Sequence, residues 1–231
     1  MKHHHIEEEG EHWLSVSDMM SGLMVIFLFI AITYMVQVSE DRNQLIEIAV
    51  TYEKTKVAIY EQLLLEFKDD LEKWNAEIDK QTLAIRFQEP DVLFNVGEAE
   101  IKEKFKLILD DFFPRYINIL KTYKSDIEEI RIEGHTSSEW RNNSPSDYDK
   151  TYFLNMALSQ TRTRATLEYC LMLPNVVDER LWIKQILTAN GLSSSKPILI
   201  DGIEDTVHSR RVEFKVKTNS ETQILKILRR K

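Results

Sequence analysis

The stretch from Trp13 to Val38 constrains this chain most, because it is long and apolar enough to cross a lipid bilayer. A hydrocarbon core of about 30 Å is spanned by about 20 helical residues. Between Met19 and Val38 the only polar side chains are Ser21, Thr33, Tyr34 and Gln37. The sequence therefore predicts one transmembrane helix over residues 13–38, preceded by a short N-terminal segment, residues 1–12.

Asp18 stands near the start of this apolar stretch. A carboxylate at the centre of a membrane helix costs about 2.5–3.5 kcal/mol on insertion scales, so it usually faces protein, pairs or takes up a proton. Ser15 and Ser21 lie three residues before and after it and share its helix face. This polar stripe predicts that Asp18 carries an ion, with Ser15 and Ser21 beside the ion path and helices of a partner completing the path. In the alternative, Asp18 is an ordinary helix N-terminal acid at the level of the headgroups.

Composition fits one crossing followed by one globular domain of ordinary size. The chain has 231 residues and a formal net charge of −8, and the acidic balance argues against direct binding to nucleic acid. Cys170 is the only cysteine, so an intramolecular disulfide is excluded. The histidines at positions 3–5 could bind a metal, although a short terminal run of this kind usually has no such role. The segment reads as an uncleaved signal anchor, and its few Lys and Arg residues do not fix its orientation.

A heptad pattern follows the apolar stretch, over residues 39–75. One position of the repeat holds Val50, Val57, Leu64 and Leu71, and the other holds Ile46, Tyr60, Phe67 and Trp74, with Glu53 as the exception. Such a seam predicts a coiled-coil stalk, and valine at the early positions favours two strands. Neither Gly nor Pro occurs between Gly22 and Pro90, so the membrane helix is expected to continue into this stalk. The alternative is a single amphipathic helix packed on its own domain.

After the stalk, the hydrophobic period predicts a domain of mixed helices and strands over residues 76–217. The expected strands are 82–87, 127–133, 198–200 and 211–216. The expected helices are 99–123, interrupted or kinked at Pro114, then 151–171 and 177–190. A turn is expected at 89–91 and a polar loop at 137–149. This order gives an α/β fold, an α+β sandwich with helices on one sheet face, and it is followed by a basic tail, residues 218–231.

Four blocks in this domain resemble the OmpA-like peptidoglycan-binding family. They are Leu93–Gly97 (LFNVG), Ile132–Thr136 (IEGHT), Asn155–Ala165 (NMALSQTRTRA) and Arg210–Phe214 (RRVEF). The blocks occur in the family's order over about 130 residues, which makes the match specific. The resemblance implies an OmpA-like fold and a site for the diaminopimelate of the wall's stem peptide.

By this resemblance the peptidoglycan-binding residues are Thr136, Ser137, Asn155, Leu158 and Arg162. The chemistry is consistent, because a guanidinium can form paired hydrogen bonds with a carboxylate while an acid takes the neighbouring ammonium. The chain departs from the family at the acid, since Ser137 stands where the family has aspartate. A serine hydroxyl can accept a hydrogen bond from an ammonium but cannot neutralise it.

Three outcomes are open for this departure: wall binding is weaker, the ligand differs, or Glu139, Asp147 or Asp149 of the following loop replaces the missing acid. A purely structural interpretation of the blocks is also open. Gly134 then only ends a strand, Asn155 and Ser159 only cap backbone groups, and Arg162 only pairs with a local acid.

The whole chain resembles the MotB class of ion-driven stator subunits, which combine one crossing, a membrane aspartate, a helical segment and an OmpA-like domain. The acidic start, the helical stalk and the GHTSSEW loop look more like the MotB-like subunit of the Zorya anti-phage defence system. The resemblance implies an inner-membrane, single-pass subunit with a cytoplasmic N-terminus and a periplasmic domain. Its implied partners are a second copy of itself, a surrounding pentamer of a multi-pass MotA-like protein, and peptidoglycan. The translocated ion would be H⁺, with no cofactor.

Three other classes compete with this interpretation. A flagellar-type stator subunit shares the architecture, and a passive cell-wall tether would use the crossing only as an anchor. A subunit of the ExbD or TolR type would lack the GHT and NxxLSxxR blocks found here. An enzyme is not expected, because no nucleophile and no metal-ligand spacing accompany His135.

Overall fold

The structure is a computed structural model that describes residues 4–88, 93–140 and 147–219, without the side chains of residues 4–15, 48–49 and 51–53. The chain divides into two compact units, one up to Thr51 and one from Tyr52 onward. The expected turn at 89–91, residues 141–146 of the expected loop and residues 220–231 of the basic tail fall outside the described residues.

The first helix, α1, runs without interruption from His4 to Leu71. The apolar stretch therefore continues into the following helical segment, as the absence of Gly and Pro between Gly22 and Pro90 predicted. Within the described chain it is the one helix long and apolar enough to cross a membrane, over Val16–Glu47, with a mean hydropathy of 2.3. All residues from 16 to 40 are exposed, as a lipid-facing surface requires. Polar side chains in this stretch bond back to the helix, Ser21 Oγ to the Ser17 carbonyl at 2.8 Å and Thr33 Oγ1 to the Phe29 carbonyl at 3.0 Å.

The second unit is built on a five-stranded sheet in the order β1-β2-β7-β3-β4. Its strands are β1 (Ala76–Asp79), β2 (Ala84–Phe87), β3 (Ile127–His135), β4 (Leu187–Gly191) and β7 (Arg211–Thr218). Only the β3–β4 pair is parallel, and the other neighbours are antiparallel. A separate two-residue hairpin pairs β5 (Leu199–Ile200) with β6 (Ile203–Glu204).

The remaining helices are α2 (Glu103–Leu120), α3 (Tyr148–Met172), α4 (Arg180–Ile186) and α5 (Thr206–Ser209), with 3-10 turns at Lys121–Tyr123 and Pro174–Val176. Pro114 lies inside α2 and does not interrupt it, so that part of the expectation was wrong, while the expected kink stays a prediction. Its missing N–H and its ring are accommodated within one continuous helix.

The prediction of a helix over 177–190 was wrong at its end, because Leu187–Gly191 forms strand β4. The segment is a strand because it pairs with β3, with Ile130 opposite Leu187 and Gly134 opposite Gly191. Five residues carry too little periodicity to distinguish a strand from the last turn of a helix. The short strands β1 and β6 were not predicted for the same reason.

The hydrophobic core is rich in aromatic side chains and lies between the sheet and α2. Phe112 of α2 is its centre, with ring centroids 5.2 Å from Phe87 and 5.1 Å from Phe214. Tyr116 stacks on Phe112 at 5.0 Å, and Phe105 packs against Phe87 at 5.7 Å. Tilted and edge-on arrangements of this kind contribute beyond the burial of apolar area.

The end of α1 belongs to this core. Ile59, Leu63 and Phe67, spaced by one helical turn, are fully buried, and the Phe67 ring lies 5.3 Å from that of Phe112. Arg115 of α2 reinforces the contact, because its Nε donates to Glu66 Oε1 at 2.7 Å. The alternative left open by the sequence, a helix packed on its own domain, thus describes residues 59–71. The coiled-coil seam upstream of residue 59 stays a prediction.

Helix α3 packs on the sheet through small and polar side chains instead of large apolar ones. Its buried residues are Thr151, Asn155, Ser159, Thr163, Thr166 and Cys170. This face of α3 packs against two glycines of the sheet, Gly134 and Gly191, and a side chain at either position would clash with the helix. A Cβ on Gly134 would lie 2.6 Å from Thr163 Cγ2, and a Cβ on Gly191 would lie 2.2 Å from the Gln160 backbone nitrogen. Close backbone approach between α3 and the β3–β4 pair is therefore built into the sequence.

Neighbouring leucines in α1 allow a direct test of which face of the helix carries the stability of the domain. Leu63 is fully buried although it lies off the heptad seam, whereas Leu64 lies on the seam and is 37% exposed. We expect Leu63→Ala to lower the free energy of unfolding by about 2–5 kcal/mol through lost burial and a cavity. Leu64→Ala should cost less than about 1 kcal/mol.

The measurement is urea unfolding of the full-length chain in detergent, followed by tryptophan fluorescence, to which Trp74 and Trp182, both packed against this core, contribute. Equal losses in the two variants, or a larger loss for Leu64→Ala, would contradict this assignment of the α1 face.

Candidate functional sites in the membrane helix and beside helix α3

The first candidate site is Asp18 of α1, the acid predicted to carry an ion. In the described part of the chain, Asp18 is exposed and forms no hydrogen bond or ion pair. Ser21 lies one helical turn beyond it and turns its hydroxyl to the Ser17 carbonyl. The side chain of Ser15 lies outside the described residues. An acid inside an apolar membrane helix usually faces protein, pairs with another group or takes up a proton.

The second site is a cavity of about 240 Å³ beside α3. Its lining includes all five residues predicted to bind peptidoglycan, namely Thr136, Ser137, Asn155, Leu158 and Arg162. The complete lining contains residues from all four sequence blocks, which the structure therefore brings together. It adds four residues from those blocks, Phe94, Asn95, Val96 and Gly97, two from the following loop, Glu139 and Trp140, and Arg210.

The end of β3 is fixed at the cavity by backbone and side-chain bonds. Thr136 and Ser137 follow directly after β3, and the Thr136 N–H donates to the Ser193 carbonyl at 3.0 Å. Asn155 of α3 is buried and its Nδ2 donates to the carbonyls of Ser137 at 3.0 Å and Glu139 at 3.2 Å. Asn155 therefore positions the backbone of residues 137–139, a role more specific than the capping one considered from the sequence.

Arg162 holds the opposite wall, which is the turn Asn95–Glu98. Its Nε donates to the Glu98 carbonyl at 2.8 Å and its Nη2 to the Asn95 carbonyl at 2.9 Å. The guanidinium carbon lies 4.8 Å from the centre of the Phe94 ring. Gly97 provides the positive φ, 74°, that this tight turn uses. Because a guanidinium has five N–H donors, three stay available for a ligand.

The side chains of Arg162 and Arg210 both line this cavity. Among the described residues neither Arg162 nor Arg210 forms an ion pair, and Arg210 Nε is buried with no hydrogen-bond partner. Burial and the charge of Arg210 lower the pKa of Arg162 to about 10. Within the described residues, Arg162 therefore forms no pair with a local acid, and its guanidinium bonds to backbone carbonyls instead. An anion is the chemical group that this arrangement lacks.

Arg210 is a charged lining residue that was not predicted from the sequence, although it opens the RRVEF block. It precedes β7 and follows the short helix α5, so the chain order gives no hint that it faces α3. Only the antiparallel pairing of β7 with β3, which sets His135 opposite Arg211, brings residue 210 beside Thr136 and Ser137.

Of the three acids considered as substitutes for the missing aspartate, only Glu139 lines the cavity. Its side chain is exposed, whereas Ser137 is 3% exposed. Asp147 and Asp149 are not among the lining residues. A further acid, Glu204 of the β5–β6 hairpin, accepts hydrogen bonds from the Ser138 backbone N–H and hydroxyl, so it fastens the loop to the hairpin.

Glu133, His135 and Glu213 form a buried group whose ligand atoms all lie within 4.8 Å, the arrangement to consider for a metal. Glu213, however, accepts from Arg211 Nε at 2.6 Å and from Arg86 Nε at 3.0 Å, so arginines already supply positive charge there. Burial and the charge of Arg211 lower the pKa of His135 to about 3, which keeps the ring neutral. We interpret this group as the ionic network on the polar face of the sheet.

No protein-family model matches the chain. In structural comparison, a MotB-like protein from Desulfovibrio vulgaris has a TM-score of 0.50 and 22% identity, covering 71% of this chain and 91% of that one. The cell wall anchor of the T6SS from Pseudomonas aeruginosa has a TM-score of 0.46 and 18% identity, covering 68% and 96%. The first likeness supports the fold that the sequence blocks predicted.

Sequence comparison gives a nearer relative, the Zorya protein ZorB from Escherichia coli (strain ATCC 8739). It is 52% identical over 223 residues, which cover 96% of this chain and 94% of the relative. The similarity therefore includes the membrane helix, the helical segment after it and the α+β domain with its cavity. At this identity and coverage, the chain belongs to the Zorya ZorB family.

Proposed function

We propose that this protein is the wall-anchored subunit of an ion-driven membrane motor in a Zorya-type anti-phage defence system. The observation that carries the proposal is the pair of guanidinium groups, Arg162 and Arg210, that line one cavity without a paired acid among the described residues. Such a site suits a carboxylate-bearing ligand, and the stem peptides of peptidoglycan carry carboxylates. The family membership and the acid in the membrane helix supply the rest of the proposal.

In this proposal α1 crosses the inner membrane once, with a cytoplasmic N-terminus and a periplasmic domain. Two copies of the chain stand inside a ring of a multi-pass MotA-like protein, whose helices supply the missing walls around Asp18. Ser15 and Ser21 lie beside the ion path on the same helix face. The domain binds peptidoglycan, so that the pair of subunits stays fixed while the ring turns.

The motor step proposed for Asp18 is the uptake and release of a proton. Protonation removes the charge and lowers the cost of carrying the carboxyl group through a region of low dielectric constant. Release on the other side restores the charge and its pairing with the ring. One elementary charge that crosses 100 mV supplies about 2.3 kcal/mol, so alternate use of the two Asp18 residues can drive rotation in steps.

We expect Asp18→Asn to leave expression and assembly intact and to abolish ion flux and phage defence. The amide keeps the size of the side chain but has no exchangeable proton of the required kind. Asp18→Glu should keep part of the activity. The measurement is proton flux through the reconstituted complex together with plating efficiency of phage.

The matched control for this experiment is Glu40→Gln, which removes an exposed acid of the same helix just after the apolar stretch of residues 13–38. It should retain flux. Full flux and full defence in Asp18→Asn would exclude the ion-carrier role and leave the passive wall tether as the better explanation.

The proposed dimer is carried by the heptad seam upstream of the domain core. Ile46 and Val50 lie on this seam and are 50% and 47% exposed in the single chain. A cysteine at either position should form a disulfide between two copies in membranes, because seam residues of parallel helices approach closely. Gln44, which is exposed and off the seam, provides the control and should crosslink poorly when replaced by cysteine.

The wild-type chain is the negative control for this crosslinking, because its one cysteine, Cys170, is buried and should not form a disulfide with a second copy. Equal crosslinking at Gln44 and Val50 would indicate random collisions and would contradict a registered dimer.

For the wall, we expect Arg210→Ala and Arg162→Ala each to weaken binding of the full-length chain to purified sacculi about ten- to hundred-fold, because each removes a charged donor. Arg164→Ala is the matched control, since Arg164 lies one position beyond Thr163 on the exposed face of α3. The measurement is co-sedimentation with sacculi, with circular dichroism to verify the fold.

Arg162 also holds the Asn95–Glu98 turn, so Arg210→Ala is the more informative of the two variants. A wild-type chain that does not sediment with sacculi, or an Arg164→Ala variant as weak as Arg210→Ala, would contradict wall binding through this cavity.

A further inference from the structure

The cavity beside α3 has an imbalance between donors and acceptors. Arg210 Nε is a buried donor without a partner, and three N–H groups of Arg162 are not used by the Asn95–Glu98 turn. The hydroxyl of Thr136, which can donate or accept, also has no partner. Thr136 is 4% exposed and its hydroxyl is buried without a hydrogen bond. A ligand that satisfies this set must bring acceptors, and a carboxylate brings two oxygens.

The charge of the lining leads to the same conclusion. Arg162 and Arg210 contribute two positive charges, and Glu139 is the single acid among the lining residues. Glu139 is exposed, while Ser137, at the position of the missing acid, is buried and uncharged. A ligand group with one net negative charge complements this lining, whereas a zwitterion brings an ammonium toward two guanidinium groups.

Peptidoglycan offers both kinds of group at one amino acid. The distal centre of diaminopimelate bears a carboxylate next to an amine, and this amine is a charged ammonium when free. When the amine is acylated, as in a crosslink between two stem peptides, it becomes a neutral amide and the carboxylate remains. The amide N–H can donate to a neutral oxygen such as the Ser137 hydroxyl without a carboxylate partner.

We propose that this cavity selects the crosslinked form of the wall, a diaminopimelate carboxylate beside an acylated amine, over the free zwitterionic form. The inference rests on the proposed wall binding and specifies its ligand. Arg162 and Arg210 bind the carboxylate together, Thr136 donates a further hydrogen bond, and Ser137 faces the neutral amide. The replacement of an acid by serine at position 137 is then a change of specificity, not only a loss of affinity.

The test is competition for sacculi by two synthetic tripeptides, L-Ala-γ-D-Glu-meso-diaminopimelate with its distal amine free or N-acetylated. The full-length chain in detergent is used. We expect the acetylated peptide to compete at a concentration about tenfold lower, since like charges at contact distance disfavour the free ammonium. Ser137→Asp should reverse this preference by restoring a buried acid beside the two arginines.

Glu139→Gln distinguishes two possibilities for the free ammonium of the ligand: repulsion by the two arginines, or binding by the Glu139 carboxylate. The variant should keep the preference for the acetylated peptide, because Glu139 has no part in the proposed contact. A wild-type chain that prefers the free amine, with this preference lost in Glu139→Gln, would overturn the inference and assign the ammonium to Glu139.

Failure of the inference is distinguishable from failure of wall binding itself. If sacculi bind the chain but both peptides compete equally, the selectivity is wrong and the wall anchor stands. If sacculi do not bind the chain at all, both proposals fall.

Discussion

The pairing of β3 with β7 is the constraint on which the rest of the domain depends. Eight residue pairs, from Ile127 with Thr218 to His135 with Arg211, fix the register of the two longest strands. Ile132 lies opposite Phe214 on the face that meets α2, and Glu133 lies opposite Glu213 on the other face. A shift of one residue would exchange the aromatic core for the ionic network, so the register is strongly determined.

The same pairing produces the cavity. Beyond its last pair, β3 continues into Thr136 and Ser137, while the chain that enters β7 passes through Arg210. Helix α3 approaches this end closely because Gly134 and Gly191 leave room for its Thr, Ser and Gln residues. Asn155 and Arg162 of α3 then fasten one loop each, and their bonds to backbone carbonyls make the cavity a preformed site.

Much of this architecture could be predicted from the sequence, because it rests on strong local patterns or ordered motifs. The apolar run over residues 13–38, the uninterrupted α1 and the four blocks led to the membrane helix, the fold and five residues of one cavity. What failed depended on distant contacts. Leu187–Gly191 is a strand because it pairs with β3. Ile59, Leu63 and Phe67 lie in the core of the domain, where the Phe67 ring packs against Phe112 of α2. Arg210 joins the site only through the strand pairing, which no local signal specifies.

The measurement that tests the central claim most directly is a crystal structure of the chain with a bound stem-peptide fragment that contains diaminopimelate. We expect one carboxylate of the fragment to lie between Arg162 and Arg210, with its oxygen atoms about 2.7–2.9 Å from guanidinium nitrogens of both residues. The Asn95–Glu98 turn and residues 136–139 should stay where the unliganded structure has them. A fragment bound at another surface, or one whose ammonium occupies the space between the two arginines, would contradict the account.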